Sequence, residues 1–177
     1  MKGFAAQAHV VRTAQTQVRI AIVILAIVTG VALATPVPVL SMATERDIVV
    51  APLDDLDALT YSYRQSIYDV PVYEEFERRG DALELLRVRS PDIRSVEYFR
   101  WDGDIVKGAD GLWTEDAPPS EHTELVLRVA PLGQQRISTA RWSYDLLPVF
   151  GEAVVTVRVE RLAPAAEWWR RLGVWRR

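Results

Sequence analysis

The chain has 177 residues, 49% of them apolar and 25% charged, with a formal net charge of −3 and no cysteine. That length suits one membrane segment plus one globular domain of about 120 residues. The lack of cysteine excludes disulfides and thiolate chemistry, so an extracytoplasmic domain must stand on its core alone.

The charge is unevenly spread. Residues 1–19 carry Lys2, Arg12 and Arg19 and no acid, so a basic leader precedes an acidic remainder. No basic patch of the kind nucleic acid requires is indicated. Residues 20–40, IAIVILAIVTGVALATPVPVL, form a twenty-one-residue run without charge. At about 1.5 Å rise per residue this is enough to cross a hydrocarbon core of about 30 Å. The positive-inside rule then places the leader in the cytoplasm and the rest outside, with membrane lipid as the helix's partner. A cleaved signal peptide is the rival reading, because Ala32-Leu33-Ala34 is a small-x-small site. Pro36 close behind that site, and the continuing apolar Val39 and Leu40, favour an uncleaved signal-anchor. Both readings put the domain outside the cytoplasm.

Residues 41–47 read as a connector, and residues 48–162 as an extracytoplasmic β-domain. Ile48 to Leu53 is a first strand, followed by an acidic turn at Asp54, Asp55 and Asp57. From Leu59 to Ile67, alternation puts Leu59, Tyr61, Tyr63, Gln65 and Ile67 on one face. Val70 to Arg78 puts Val72, Glu74 and Phe76 together, and Leu83 to Arg89 follows after a turn at Gly80-Asp81. Val96 to Trp101 reads as a further strand running into a tight turn at Asp102-Gly103. Trp113 to Thr123, with Pro118 and Pro119, reads as the longest loop. Leu125 to Val129, segments around Ile137 and Trp142–Leu146, and Ala153 to Val159 complete the set. Short strands at this spacing predict an all-β fold, a small antiparallel β-sandwich or barrel. Residues 163–177 read as a short C-terminal helix opened by Pro164. Its Trp168, Trp169, Arg170, Arg171 and Trp175 suit either a membrane interface or packing on the sheet.

The chemistry-bearing residues are sparse. His9 and His122 are the only histidines. Without cysteine they cannot assemble a zinc site or a nucleophile–base pair by themselves. The acidic groups at Asp54/Asp55/Asp57, Glu74/Glu75/Glu77 and Asp102/Asp104 lack the pattern of a calcium loop or a substrate cleft. No metal, cofactor or catalytic set is expected. The hairpin is more informative. A two-residue turn at Tyr68-Asp69 would pair Ile67 with Val70, Gln65 with Val72 and Tyr63 with Glu74. A turn at Gly80-Asp81 would pair Phe76 with Leu85, Glu74 with Arg87 and Glu77 with Glu84. Tyr63, Gln65, Ser66, Glu74 and Arg87 are therefore the candidate binding residues. They form either a structural polar knot or the lining of a small-ligand pocket or docking patch.

The stretch Tyr61 to Phe76, YSYRQSIYDVPVYEEF, resembles an uncharacterised prokaryotic family of extracytoplasmic domains encoded beside TRAP-type transporters of the TAXI subclass. The family hairpin reads Tyr-x-His-Ser-Val, three variable residues, then Pro-Val-x-Glu and an apolar residue. Tyr63, Ser66, Pro71, Val72, Glu74 and Phe76 match it, and Ile67 stands where the family has Val. Gln65 stands where the family has His, so any metal or acid–base role of that histidine is absent. Ser90 to Ser95 replaces a Gly-rich segment. The resemblance spans about residues 45–162 and implies a non-enzymatic accessory role, with a transporter permease or solute-binding protein as partner. A small-ligand or cell-envelope binding module, with its polar pocket on the Tyr63–Glu74 hairpin, is the alternative.

Overall fold

The computed structural model describes residues 3–53 and 58–165, with side chains of the N-terminal helix described from residue 19 onward. The chain divides into two units, one holding that helix and the other, Pro38–Arg161, holding the sheets. Asp54, Asp55 and Asp57 lie outside the described residues. So do Trp168, Trp169, Arg170, Arg171 and Trp175, although Pro164 and Ala165 already have helical conformation.

Helix α1, Gly3–Ala34, contains no proline and ends just before one. Pro36 drives the preceding residue away from helical backbone, and the Thr35 hydroxyl donates back to the Val31 carbonyl at 2.8 Å. Ile20, Ile22, Val23, Ile24, Leu25, Ile27 and Val28 are each more than half exposed. Successive residues are turned by about 100°, so this apolar surface runs all round the helix and is not a single stripe. Among the described residues no helix is long and apolar enough to cross a membrane.

The uncharged run 20–40 is therefore divided. Its helical part stops at Ala34, and strand β1, Val37–Ala43, takes the rest. Pro36 and Pro38 cannot continue the helix, and Val39, Leu40 and Met42 gain a buried place in a sheet. The connector begins correspondingly later, because Ser41 to Ala43 belong to β1.

The sheet unit is mostly antiparallel β-structure. β1 and β2 (Ile48–Pro52) pair antiparallel. They join β12 (Ala153–Leu162) and β9 (Leu125–Val129) in a four-stranded sheet ordered β2-β1-β12-β9. The larger sheet takes β3 (Leu59–Gln65), β4 (Val70–Arg79), β5 (Ala82–Ser90), β6 (Val106–Lys107) and β7 (Trp113–Asp116). It also takes β10 (Arg136–Ser138) and β11 (Ser143–Asp145), in the order β11-β10-β3-β4-β5-β7-β6, with β8 (Glu121–His122) beside β5. Leu40, Met42, Leu127, Val155 and Val157 of the smaller sheet pack with Leu59, Phe76, Leu83 and Ile137 of the larger one. Two sheets facing each other across one apolar layer make a sandwich.

A second small core lies at the other end of the larger sheet. There Val72 and Val88 meet Val96, with Phe99, Trp101 and Ile105 against them. Val96 belongs to a helix, α2 (Ile93–Glu97), where alternation had suggested a strand. Pro91-Asp92 decides this: the Asp92 carboxylate accepts the Arg94 backbone N–H at 3.0 Å and caps the first turn. The expected long loop 113–123 supplies β7 and β8, and the expected strand 142–146 ends at Asp145, giving way to helix α3, Leu146–Phe150.

Candidate functional site

The hairpin β3–β4 has a longer turn than its sequence suggests. Residues 66–69 form the loop, with Asp69 in the left-handed region at φ 58° and its N–H donating to the Gln65 carbonyl at 2.8 Å. Pairing is consequently shifted by two: Gln65 faces Val70, Tyr63 faces Val72 and Tyr61 faces Glu74. An even shift keeps the paired side chains on their expected face, but Ile67, expected inward opposite Val70, leaves the strand for the turn and is exposed. Tyr61, Tyr63, Gln65, Val72, Glu74 and Phe76 thus all point inward, as alternation requires.

The β4–β5 pairing begins as expected, with Phe76 opposite Leu85 and Glu77 opposite Glu84. Arg79 relieves the like charges of that pair by contacting both carboxylates. A bulge between Glu75 and Phe76 then inserts Leu86, so Arg87 faces Glu75 and Val88 faces Glu74. Arg87 is therefore removed from the expected cluster. Its Nε donates to Glu75 at 2.6 Å on the outer face, where Arg89 also donates to Glu75 at 2.9 Å. Burial acts upward on Glu75, but the two guanidiniums hold its carboxyl below the usual range.

Glu74 has no such help. Burial pushes it up to about 7, and the Tyr63 hydroxyl, donating to its carboxylate, offsets this only in part. The Tyr63 phenol is itself pushed upward, first by burial and then by the neighbouring Glu74 charge. Tyr61 responds in the same way. Gln65 is buried on the same face, and its side-chain carbonyl has no hydrogen-bond partner. Ser66 is exposed in the turn. Of the five candidates, Tyr63 and Glu74 are bonded, Gln65 shares their face, Ser66 stands at the tip, and Arg87 is elsewhere.

One buried acid was not singled out from the sequence. Glu115, read as part of a loop, lies in β7 opposite Val88 and is 1% exposed, with neither carboxylate oxygen in a hydrogen bond. Burial raises its pKa, the nearby Gly103 backbone N–H offsets this in part, and the Asp102 charge acts upward again. Tyr61, Glu74, Val88 and Glu115 thus form one row across four strands on the inner face. The only advance signal was the alternation of Trp113, Glu115 and Ala117 beside Asp116.

His122 sits in β8 opposite Leu83 and meets Phe76 edge-on at 6.3 Å between ring centres. Among the described residues, no group of three or more His, Asp or Glu side chains gathers that could hold a metal ion. Comparisons with protein-family models, with curated proteins and with solved structures gave no match. The site is left to its own chemistry. A carboxyl that burial brings to its titration midpoint at about pH 7, with a phenol as donor, can fix strand pairing and respond to pH.

Proposed function

We propose that the protein is a membrane-anchored, extracytoplasmic β-domain that works by interaction and not by catalysis, as an accessory of a TRAP-type transporter. The observation that carries the anchoring is the all-round apolar exposure of α1 from Ile20 to Val28. Water would penalise that surface, and lipid would not. From Ile20 to Ala34 the uncharged helix is about 22 Å long, shorter than a hydrocarbon core of about 30 Å. Arg19 reaching to the headgroups and local thinning of the bilayer make up the difference.

The transporter association rests on the likeness of the hairpin motif, which is analogy and not geometry. The geometry narrows where a partner can dock. Val72 and Phe76 are buried and Glu74 is half-buried between them, which leaves little of the inner face of the hairpin to a partner. The docking surface is then the tip, where Ser66 is exposed and Ile67 is 60% exposed.

The cysteine-free chain makes a clean test. Ser66→Cys should react with a membrane-impermeant maleimide in intact cells, and the protein should stay in the membrane pellet after alkaline carbonate. Labelling only after lysis, or release by carbonate, overturns the topology. A photocrosslinker on that cysteine should then join the protein to a permease or solute-binding protein in native membranes. Crosslinks to its own copies alone overturn the accessory role.

A further inference from the structure

The cavity that the alternative reading needs is on the opposite face of the same strands. A concavity of about 540 Å³ opens on the outer side of β10, β3 and β4, within the range of small-molecule sites. Its floor is a cross-strand row, because Arg136 faces Ser62 and Ser62 faces Tyr73. Residues in such a row stand about 5 Å apart and share one face. Arg64, two residues along β3 from Ser62, is on that face too. The loop at Pro131 and Gln134 forms one wall, and Leu147 and Pro148 of α3 form another.

The lining carries many donors. Two guanidiniums, Arg64 and Arg136, and two hydroxyls, Ser62 and Tyr73, stand with the amides of Gln134 and Gln135 beside one lining carboxylate, Asp145, while Asp69 pairs Arg64 from outside the lining. Asp145 occupies only the Nε edge of Arg136, at 2.6 Å, which leaves the terminal nitrogens for another acceptor. Arg136 and Asp145 are each about half exposed, so their pairing contributes little and an incoming anion loses little by adjusting it. Arg64 is held by Asp69 through two bonds of 2.5 and 2.8 Å, which take its Nε and one terminal nitrogen and leave the other beside the floor. We propose that this outer-face concavity binds a small organic acid, its carboxylate on the terminal nitrogens of Arg136 with the remaining Arg64 nitrogen alongside, and its body against Tyr73, Leu147 and Pro148. Guanidinium forks match carboxylate geometry in two bonds at once. This goes beyond the accessory role and does not depend on the membrane anchor.

The test is calorimetric titration of the full-length protein in detergent with succinate and with 4-hydroxybenzoate, each beside its neutral amide. At least one acid should bind while its amide does not, and Arg136→Gln should weaken it at least tenfold. Arg158→Gln, on the other sheet, should leave it unchanged. Should Arg136→Gln not fold, Arg136→Lys keeps the charge without the fork and should weaken binding at least threefold. No binding by either acid, equal binding of the amide, or unchanged affinity in the Arg136 variant overturns the proposal. Equal affinity for inorganic phosphate also overturns it, since charge alone would then suffice.

Discussion

Glu74 and Glu115 stand on the same buried face of the larger sheet, one on either side of Val88. Strand spacing puts their backbones about 10 Å apart. Among the described residues no guanidinium offsets either carboxyl, and burial is the first cause of the upward shift in both. The domain therefore holds two acids that favour the protonated form when folded.

This sets a sign for the dependence of stability on pH. The folded-state pKa of Glu74, about 7, exceeds its unfolded value of 4.5. The folded protein binds the extra proton, so this contribution is fully present below about pH 4.5 and is lost as pH rises through about 7. Its size is on the order of 3 kcal/mol. Urea unfolding should show stability falling from pH 5 to pH 8, and Glu74→Gln should flatten most of that slope. A wild-type curve level across this range contradicts the argument.

Glu115 makes a second, separable prediction. Its oxygens are buried without a well-formed hydrogen bond, only the Gly103 backbone lying close, so removing them should relieve a desolvation cost of about 1–3 kcal/mol. Glu115→Met keeps an unbranched side chain of similar length. It should raise the unfolding midpoint at pH 8. A lower midpoint would mean that the carboxylate has a partner in solution.

Phe76 is 2% exposed and packs between the two sheets. Phe76→Ala should cost about 3–5 kcal/mol, from lost transfer energy and the cavity left behind. Equilibrium denaturation at pH 5, where the carboxyls add most, gives the widest window. A loss under about 1 kcal/mol would show that the sheets are not held together there.

The anchor can be tested by one charge. Leu25 is 66% exposed near the middle of the apolar part of α1. Leu25→Arg should add about 3 kcal/mol to the cost of residing in lipid. The variant should appear in the carbonate-soluble fraction, with the wild type in the pellet. Equal retention of both contradicts an anchor at this position.

Much of the fold was legible because alternation fixes a face without needing a partner. From Ala153 to Val159 alternation puts Val155, Val157 and Val159 on one face, and all three are buried. Gln65 and Glu74 were read as polar residues on a core face, and that is where they lie. Neighbours were harder, because they depend on turn length and bulges. The Ser66–Asp69 loop moved Glu74 from opposite Tyr63 to opposite Tyr61, while a diagonal hydrogen bond kept Tyr63 in touch with it. Leu40 was read as membrane because hydrophobicity alone cannot tell a strand in a core from a helix in lipid. Glu115 escaped notice because an acidic pair, Glu115-Asp116, just before two prolines looks like loop sequence. The outer concavity could not be read at all, since β10 joins β3 across more than seventy residues of chain.

The bulge at Leu86 acts on the chain as a reading frame does on a message. Before it, Leu83 and Leu85 point inward; after it, Val88 and Ser90 do, while Arg87 and Arg89 face solvent. Straightening the bulge with Leu86 kept in the ladder would turn both arginines into the core, with Val88 and Ser90 cast outward. Deleting Leu86 should be tolerated, because Arg87 would then follow Leu85 directly and Val88 and Ser90 would stay inward. Deleting Val88 should not, because closing the ladder would then bring Arg87 to the inner face.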